Sequence, residues 1–129
     1  MKQGHDSSIL IIDDDTFVLE ATAVLLREHG YSVISCENAK DAMAKLRENK
    51  VDVVLTDIRM PEVSGLELLE EVRSINMDIP VILMTAYAEL DVAISAMGKG
   101  AFDFIVKPYN SELLAHSVEM AVKHKELIK

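Results

Sequence analysis

Short apolar runs alternate with longer amphipathic stretches from Ser8 almost to the end of the chain. The runs are rich in Val, Ile and Leu and show almost no polar alternation, which is typical of strands covered on both faces. The stretches between them repeat apolar residues every three or four positions, which is typical of helices with one buried face. Five strand-helix pairs fit the chain, and this alternation predicts an α/β fold with a parallel sheet.

The apolar runs and the capping residues place the individual elements. The predicted strands cover residues 9–12, 31–36, 51–56, 81–84 and 101–106. The predicted helix boundaries are a stop at Gly30, N-caps at Asn38, at Ser64 and at Asn110 or Ser111, and a stop at Gly98 or Gly100. The predicted inner faces of the five helices are Val18, Ala21, Thr22, Leu25 and Leu26; Ala39, Ala42, Met43 and Leu46; Leu66, Leu69 and Val72; Leu90, Ala93, Ile94 and Met97; and Leu113, Leu114, Val118, Ala121 and Val122.

Charged or hydroxyl side chains stand at the carboxyl ends of four predicted strands. They are Asp13 and Asp14 after the first strand, Asp57 after the third, Thr85 after the fourth and Lys107 after the fifth. In a doubly wound sheet of order 2-1-3-4-5 the first and third strands are neighbours about 4.8 Å apart, so their terminal carboxylates converge. Three carboxylates at such short distances repel one another unless a cation lies between them. Mg²⁺ suits a site that offers carboxylate, carbonyl and water oxygens beside a phosphoryl group.

Such a site fits phosphoryl transfer onto a carboxylate, with a covalent aspartyl phosphate as the product. Asp57, at the end of the third strand, is the candidate nucleophile. Asp14 is predicted to bind the metal directly, and Asp13 directly or through water. The backbone carbonyl of Arg59 could complete the protein ligands.

Two further side chains are expected to act on the phosphoryl group itself. Lys107 lies two strands from Asp57, roughly 10 Å across the sheet, which a long side chain can largely cover. Its ammonium would neutralise the phosphoryl oxygens that the metal leaves uncovered. Thr85 can donate its hydroxyl to one of these oxygens, and that movement would open space beside the fifth strand.

The composition restricts the class of protein. A chain of 129 residues, 50% of them hydrophobic, is the size of one domain. The single cysteine, Cys36, leaves no internal disulfide and no thiolate metal site. No apolar run approaches the roughly 20 residues that span a bilayer, and no secretion signal is present, so we expect a cytoplasmic protein without membrane contact. A net charge of -9 argues against direct binding to nucleic acid.

The joint pattern resembles the receiver domain of bacterial two-component response regulators. The matching residues are Asp13-Asp14, Asp57 with Met60-Pro61 and Gly65, Thr85-Ala86, and Lys107-Pro108. The resemblance implies a flavodoxin-like (βα)5 fold over residues 8–125, with residues 1–7 as a tail and residues 126–129 as the end of the last helix or the start of a linker. It also implies that Asp57 takes a phosphoryl group, with Mg²⁺, from a histidine kinase or a histidine phosphotransfer protein.

The same resemblance implies a signalling switch rather than a turnover enzyme, with self-phosphorylation and slow self-dephosphorylation only. Thr85 and Ala86 would contact the phosphoryl group, and Phe104 on the fifth strand would follow Thr85. The face of the fourth helix, fifth strand and fifth helix would then change and could form a homodimer. The resemblance further suggests a structural role for Gly65 and a cis peptide bond before Pro108.

Residues 84–109 look most like receivers attached to transcriptional activators of the ATPase-driven type. No output domain follows Lys129, and the last helix runs charged and helical to that residue. The chain is therefore either a stand-alone regulator or, as we favour, a piece of a longer protein with a covalently linked output domain.

Three other readings of the pattern remain open. A haloacid-dehalogenase-like phosphatase would use Asp13 as its nucleophile, but Phe17 stands where that family places Thr. A flavodoxin or nucleotide binder would need small residues after the first strand instead of three carboxylates. A degenerate receiver could act as a scaffold only.

Three residues near the predicted site have further expected roles. Asp15 could be a helix N-cap rather than a ligand. Arg59 and Tyr87 are predicted to shield the acyl phosphate.

Overall fold

The computed structural model describes residues 7–127, which form a five-stranded parallel sheet covered by helices on both faces. The elements are β1 (Ser8–Ile12), α1 (Thr16–Glu28), β2 (Ser32–Cys36), α2 (Ala39–Glu48), β3 (Val53–Asp57), α3 (Gly65–Ile75), β4 (Val81–Ala86), a 3₁₀ turn (Tyr87–Glu89), α4 (Leu90–Met97), β5 (Asp103–Lys107) and α5 (Ser111–Leu127). The strand order is β2-β1-β3-β4-β5, with every pair parallel. This order confirms the predicted doubly wound α/β fold.

The sheet separates two apolar cores. Residues of α2, α3 and α4, such as Ala42, Leu69 and Ala93, pack against one face. Residues of α1 and α5, such as Leu26 and Leu114, pack against the other. All five residues of β3 are buried, because helices cover this central strand on both sides. Burial on both faces of the sheet therefore explains the continuous apolar run in the sequence, as expected.

Side-chain caps begin α1, α2, α3 and α5 as the sequence predicts. Asn38 accepts a hydrogen bond from the backbone of the residue three positions on, and Ser64 forms a capping box with Glu67. Asn110 caps α5, because its side-chain oxygen accepts from two backbone amides of the first turn. Asp15 caps α1 by accepting from the amides of residues 17 and 18.

Four helices differ from their predicted inner faces. In α3 Leu68 is buried, whereas the predicted Leu66 is only partly buried. In α1 the buried residues include Leu19 and Ala23, whereas Ala21 is exposed. In α4 the alanines face the sheet and Ile94 is 58% exposed, and in α5 Leu113 is 56% exposed. These helices carry apolar residues on more than one side of the helix. Which side is buried therefore depends on the neighbouring elements and not on periodicity alone.

The strand boundaries shift by one or two residues at several ends. β3 begins at Val53 rather than at residue 51 and includes Asp57 as its last residue. β5 begins at Asp103 and includes Lys107, because Ala101 still donates its amide to Ala96 at the end of α4. Asp57 and Lys107 therefore lie on regular strands rather than in the loops that follow them.

Truncation of the central strand should be costly. Leu55 of β3 is fully buried, so Leu55→Ala should lower the free energy of unfolding by about 2–5 kcal/mol through lost burial and a residual cavity. The matched control Leu113→Ala removes the same atoms from an exposed position and should change stability by no more than about 0.5 kcal/mol. Urea unfolding followed by circular dichroism measures both, and equal losses would contradict the described core.

Candidate functional site

Three carboxylates meet at the carboxyl edge of the sheet. Asp13 directly follows β1, Asp57 ends β3, and Asp14 lies beside them. One carboxylate oxygen of each residue lies within 4.8 Å of the other two. Asp13 and Asp57 are buried, whereas Asp14 is exposed. The predicted convergence of acids from two neighbouring strands is therefore present in the structure.

Backbone pairing explains why these acids meet. Ile12 of β1 pairs with Thr56 of β3, so the next residue on each strand carries a carboxylate at the same height. The amide of Asp13 donates to the carbonyl of Cys36, which extends the pairing with β2 by one residue. Asp13 in turn accepts a hydrogen bond of 2.9 Å from the amide of Asp15. Its carboxylate is thus held between the sheet and the start of α1.

Lys107 reaches both buried acids from the edge strand β5. Its Nζ lies 3.0 Å from Asp13 Oδ2 and 3.4 Å from Asp57 Oδ1. The long side chain thus covers the gap of two strands that the sequence predicts. A single ammonium therefore partly neutralises two buried carboxylates.

The ionisation of the site reflects this crowding. Burial raises the pKa of Asp57, and the neighbouring charges of Asp13 and Asp14 raise it further, while Lys107 opposes the shift. Burial alone would lower the pKa of Lys107, but its contacts with Asp13 and Asp57 outweigh burial and raise it. The ammonium is therefore firmly charged, and the ionised form of Asp57 is unfavourable in the absence of further positive charge.

The donor set of this cluster fits Mg²⁺. All three side chains offer carboxylate oxygens, which are the ligands of a hard divalent ion. The exposed position of Asp14 leaves one side open to water, and Mg²⁺ usually keeps several waters. Arg59, whose carbonyl is the fourth predicted protein ligand, lines the same cavity as Asp14 and Asp57.

The first residue of α3 lies directly against the backbone of Asp57. A Cβ atom at Gly65 would stand 2.3 Å from the carbonyl oxygen of Asp57, which no side chain allows. The amide of Gly65 also donates to the carbonyl of Ile58 at 2.7 Å. Glycine is therefore needed here for close approach, and this contact holds the end of β3 in place.

The loop after β5 is held against α1. The hydroxyls of Thr22 and Tyr109 lie 2.6 Å apart in a hydrogen bond that either can donate, and Thr22 is fully buried. The peptide bond between Lys107 and Pro108 is cis. Two residues beyond Lys107 the chain is therefore anchored to the helix that follows Asp13 and Asp14.

Thr85 and Phe104 do not line the cavity at the acids. Thr85 is buried, and its hydroxyl donates to the carbonyl of Ala86 at 3.1 Å rather than to a carboxylate. Phe104 on β5 is half-buried and packs against the core formed by α2, α3 and α4. The cavity has a volume of about 430 Å³, and its lining is Asp14, Asp15, Asp57, Ile58, Arg59, Ala86, Glu89 and Lys107.

Glu89 also lines this cavity, although no sequence motif marks it. Arg59 Nη2 donates to Glu89 Oε2 at 2.5 Å, across 30 residues of sequence. Glu89 ends the 3₁₀ turn that follows β4, so it rises from the same edge of the sheet as Asp57. Two sequence features could have pointed to Glu89: its position four residues after Thr85 and its charge, which is opposite to that of Arg59.

Comparison with known proteins gives a consistent result. A family model described as "Response regulator receiver domain" matches residues 9–119. The transcriptional regulatory protein ZraR of Klebsiella oxytoca is 40% identical over 124 residues, which are 96% of this chain and 28% of that protein. The chain spans only about a quarter of the length of such curated relatives.

Two solved structures are similar over almost the whole chain. A response regulator receiver domain protein from Clostridium thermocellum has a TM-score of 0.92 and 34% identity, covering 95% of this chain and 99% of that one. NtrX from Brucella abortus has a TM-score of 0.91 and 27% identity, covering 95% of this chain and 28% of that one. Within residues 7–127, no helix is both long enough and apolar enough to cross a bilayer.

Removal of the Asp57 charge should stabilise the metal-free protein. Folding raises the pKa of Asp57, so its ionised form disfavours the native state at neutral pH. Asp57→Asn should raise the free energy of unfolding by about 1 kcal/mol at pH 7, on the scale of ordinary point changes. The gain should shrink as the pH falls through the folded pKa and disappear below the ordinary carboxyl pKa of 3.8.

Urea unfolding in the presence of EDTA across this pH range measures the effect. The control Asp91→Asn removes a charge from an exposed position at the start of α4 and should give no such gain. A gain at Asp57 that does not depend on pH would disprove the electrostatic explanation.

Proposed function

The chain belongs to the response regulator receiver domain family, and from this premise we propose that Asp57 accepts a phosphoryl group from a phosphohistidine. Receiver domains serve two-component signal transduction, take phosphate from histidine kinases, use Mg²⁺ at an acidic pocket and are not turnover enzymes. For this chain the phosphoacceptor, the metal ligands and the switch residues are part of the proposal.

One observation carries the proposal: the Asp57 carboxylate meets two further carboxylates and an ammonium at the mouth of an open cavity. The three acids lie within 4.8 Å of one another, and Lys107 Nζ lies 3.4 Å from Asp57 Oδ1. Asp57 lines the cavity, so a phosphoryl donor can approach it from solvent. A fixed ammonium, together with a divalent cation held by the acids, suits the neutralisation of a transferring phosphoryl group.

The chemistry is a single displacement at phosphorus. A carboxylate oxygen of Asp57 attacks the phosphorus atom, and an O–P bond forms while the P–N bond to the donor imidazole breaks. The electron pair of that bond returns to the ring nitrogen of the donor. Lys107 neutralises oxygens of the arriving group, and its contact with Asp13 keeps the ammonium directed at the site.

The metal would be held by the side chains of Asp13, Asp14 and Asp57 and by the carbonyl of Arg59. When bound, Mg²⁺ supplies neutralising charge at the phosphoryl oxygens and offsets the repulsion among the acids. Its positive charge would also oppose the effect of burial on the pKa of Asp57 and so favour the ionised nucleophile.

The phosphatase alternative has less support from the site. Asp13, its nucleophile, is fully buried and is already bound by Lys107 and by the amide of Asp15. It does not belong to the cavity lining, whereas Asp57 does. Phe17, in the place where a phosphatase of that family has Thr, is 87% exposed, and its side chain has no hydroxyl that could donate a hydrogen bond.

Phosphorylation would reach the rest of the domain through Thr85. Its hydroxyl would leave the carbonyl of Ala86 for a phosphoryl oxygen, and the amide of Ala86, which lines the cavity, would contact the same group. The end of β4 would then shift beside β5, where Leu83 pairs with Phe104. Phe104 would move into the space vacated next to it.

The output surface would be the face of α4, β5 and α5. This face carries exposed apolar side chains, among them Ile94, Met97 and Leu113. We propose that it forms a homodimer after phosphorylation, in the cytoplasm, in a protein whose output domain lies outside this chain. Relatives named as transcriptional regulators, with only 26–28% of their length matched here, support an output domain of the ATPase-driven activator type.

The phosphoacceptor can be identified directly. After incubation with Mg²⁺ and acetyl phosphate, the intact mass of the protein should increase by one phosphoryl group, and Asp57→Asn should abolish the gain. The control Asp78→Asn changes an exposed acid before β4, at the opposite edge of the sheet, and should be phosphorylated normally. A gain that survives in Asp57→Asn but is lost in Asp13→Asn would favour the phosphatase alternative.

The side chains of Arg59 and Tyr87 should lengthen the life of the acyl phosphate by excluding water. Both follow reactive positions by two residues and both side chains are exposed, and Arg59 lines the cavity. Arg59→Asn combined with Tyr87→Ala should speed dephosphorylation roughly threefold to tenfold, which is about 0.7–1.4 kcal/mol of barrier. Release of phosphate from the isolated phosphoprotein measures the rate.

The control for this rate is Met77→Ala, which removes an exposed side chain far from the cavity and should leave the rate as it is. An unchanged rate in the double variant would show that these side chains do not shield the phosphoryl group.

A further inference from the structure

An ion pair joins the two loops on either side of the phosphoacceptor. Arg59 lies two residues after Asp57, and Glu89 ends the 3₁₀ turn that follows Thr85 and Ala86. Arg59 Nη2 and Glu89 Oε2 are 2.5 Å apart, and both residues line the cavity that contains Asp57. The β3–α3 loop and the segment leading into α4 are therefore tied together at the mouth of the site.

The two partners are held unequally. The Arg59 side chain is 77% exposed, whereas that of Glu89 is 21% exposed. Glu89 is fixed by its place between the 3₁₀ turn and α4, whereas Arg59 extends from a loop and can turn at little cost. Of the pair, Arg59 is the partner that can change its contact when the charge in the cavity changes.

The excess of negative charge in the cavity attracts the guanidinium of Arg59. Its lining includes four acids and only two cations, and one of these cations, Lys107, already contacts Asp13 and Asp57. A phosphoryl group carries about -1.5 to -2 charges and three acceptor oxygens. A guanidinium binds phosphoryl oxygens in a fork with two parallel hydrogen bonds, which makes such a group a strong competitor for Arg59.

We propose that Glu89 is a positioning residue that holds Arg59 at the rim of the cavity and competes for it with a phosphoryl group on Asp57. This inference rests on the proposed function. Occupation of the site draws Arg59 away from Glu89 and unties the start of α4 from the β3–α3 loop. Glu89 thereby couples the charge state of the site to the position of α4 by a route that does not pass through Thr85.

The loss of its contact with Arg59 costs Glu89 little free energy. Glu89 directly precedes the first turn of α4, where the helix dipole favours negative charge. The carboxylate therefore keeps a favourable environment after Arg59 has left. The ion pair is exposed on the Arg59 side, so its strength is modest and a phosphoryl group can displace it.

A double-mutant cycle on phosphoryl-analogue binding tests the competition. Affinity for beryllofluoride with Mg²⁺ is measured by NMR titration of the wild type, Glu89→Gln, Arg59→Gln and the double variant. Glu89→Gln should tighten binding by about fivefold in the wild type and by less than about twofold in the Arg59→Gln background, on the scale of an exposed ion pair. Equal effects in both backgrounds would overturn the proposal, because a charge acting at a distance affects both alike.

A second readout needs neither metal nor analogue. In metal-free protein the Arg59 side-chain N–H signal should be shifted by its contact with Glu89 and should move to the position of free arginine in Glu89→Gln. Glu119→Gln breaks a comparable ion pair on α5, with Lys123, and should leave the signal and the affinity unchanged. An Arg59 signal that does not respond to Glu89→Gln would overturn the proposal.

The proposed function and the role of Glu89 would be disproved by different results. If the wild type neither binds beryllofluoride nor gains a phosphoryl group from acetyl phosphate, the proposed function fails. If it does both and the cycle shows no coupling between Arg59 and Glu89, only the role of Glu89 fails. Equal unfolding midpoints of the four proteins ensure that neither result comes from lost structure.

Discussion

Repulsion among three carboxylates at one edge of the sheet is the constraint on which this structure depends. Asp13 and Asp57 are buried beside each other, with Asp14 at the surface, and Lys107 compensates only part of their charge. A folded protein tolerates such an arrangement because one ammonium is close and because water and a cation can enter from the open side. The remaining negative charge makes the site responsive to an arriving cation or phosphoryl group.

The rest of the fold holds these groups in place. Parallel pairing of β1 with β3 sets the height of the two buried acids, and Gly65 lets α3 close on the backbone of Asp57. On the other side, the hydroxyl contact between Thr22 and Tyr109 anchors the loop after Lys107 to α1. The site is therefore built on strand ends with short, packed supports, as a charge-sensitive site requires.

We propose two routes from this edge to α4, which follows β4 almost directly. One runs through Thr85, whose hydroxyl is bound to the carbonyl of Ala86, and the other through the ion pair of Arg59 with Glu89. Both depend on weak local contacts, in contrast to the buried core beneath them. A receiver domain can thus keep its sheet unchanged while the segment above it responds to the state of Asp57.

The sequence by itself determined the sheet and the residues at its carboxyl edge, because apolar runs and the polar residues that end them are local signals. Only the tertiary structure decided that Leu19 and not Ala21 of α1 is buried, since several rows of that helix are apolar. It also decided that Glu89 meets Arg59, across 30 residues. Such choices depend on the competition among neighbouring surfaces and charges, which no stretch of the chain contains alone.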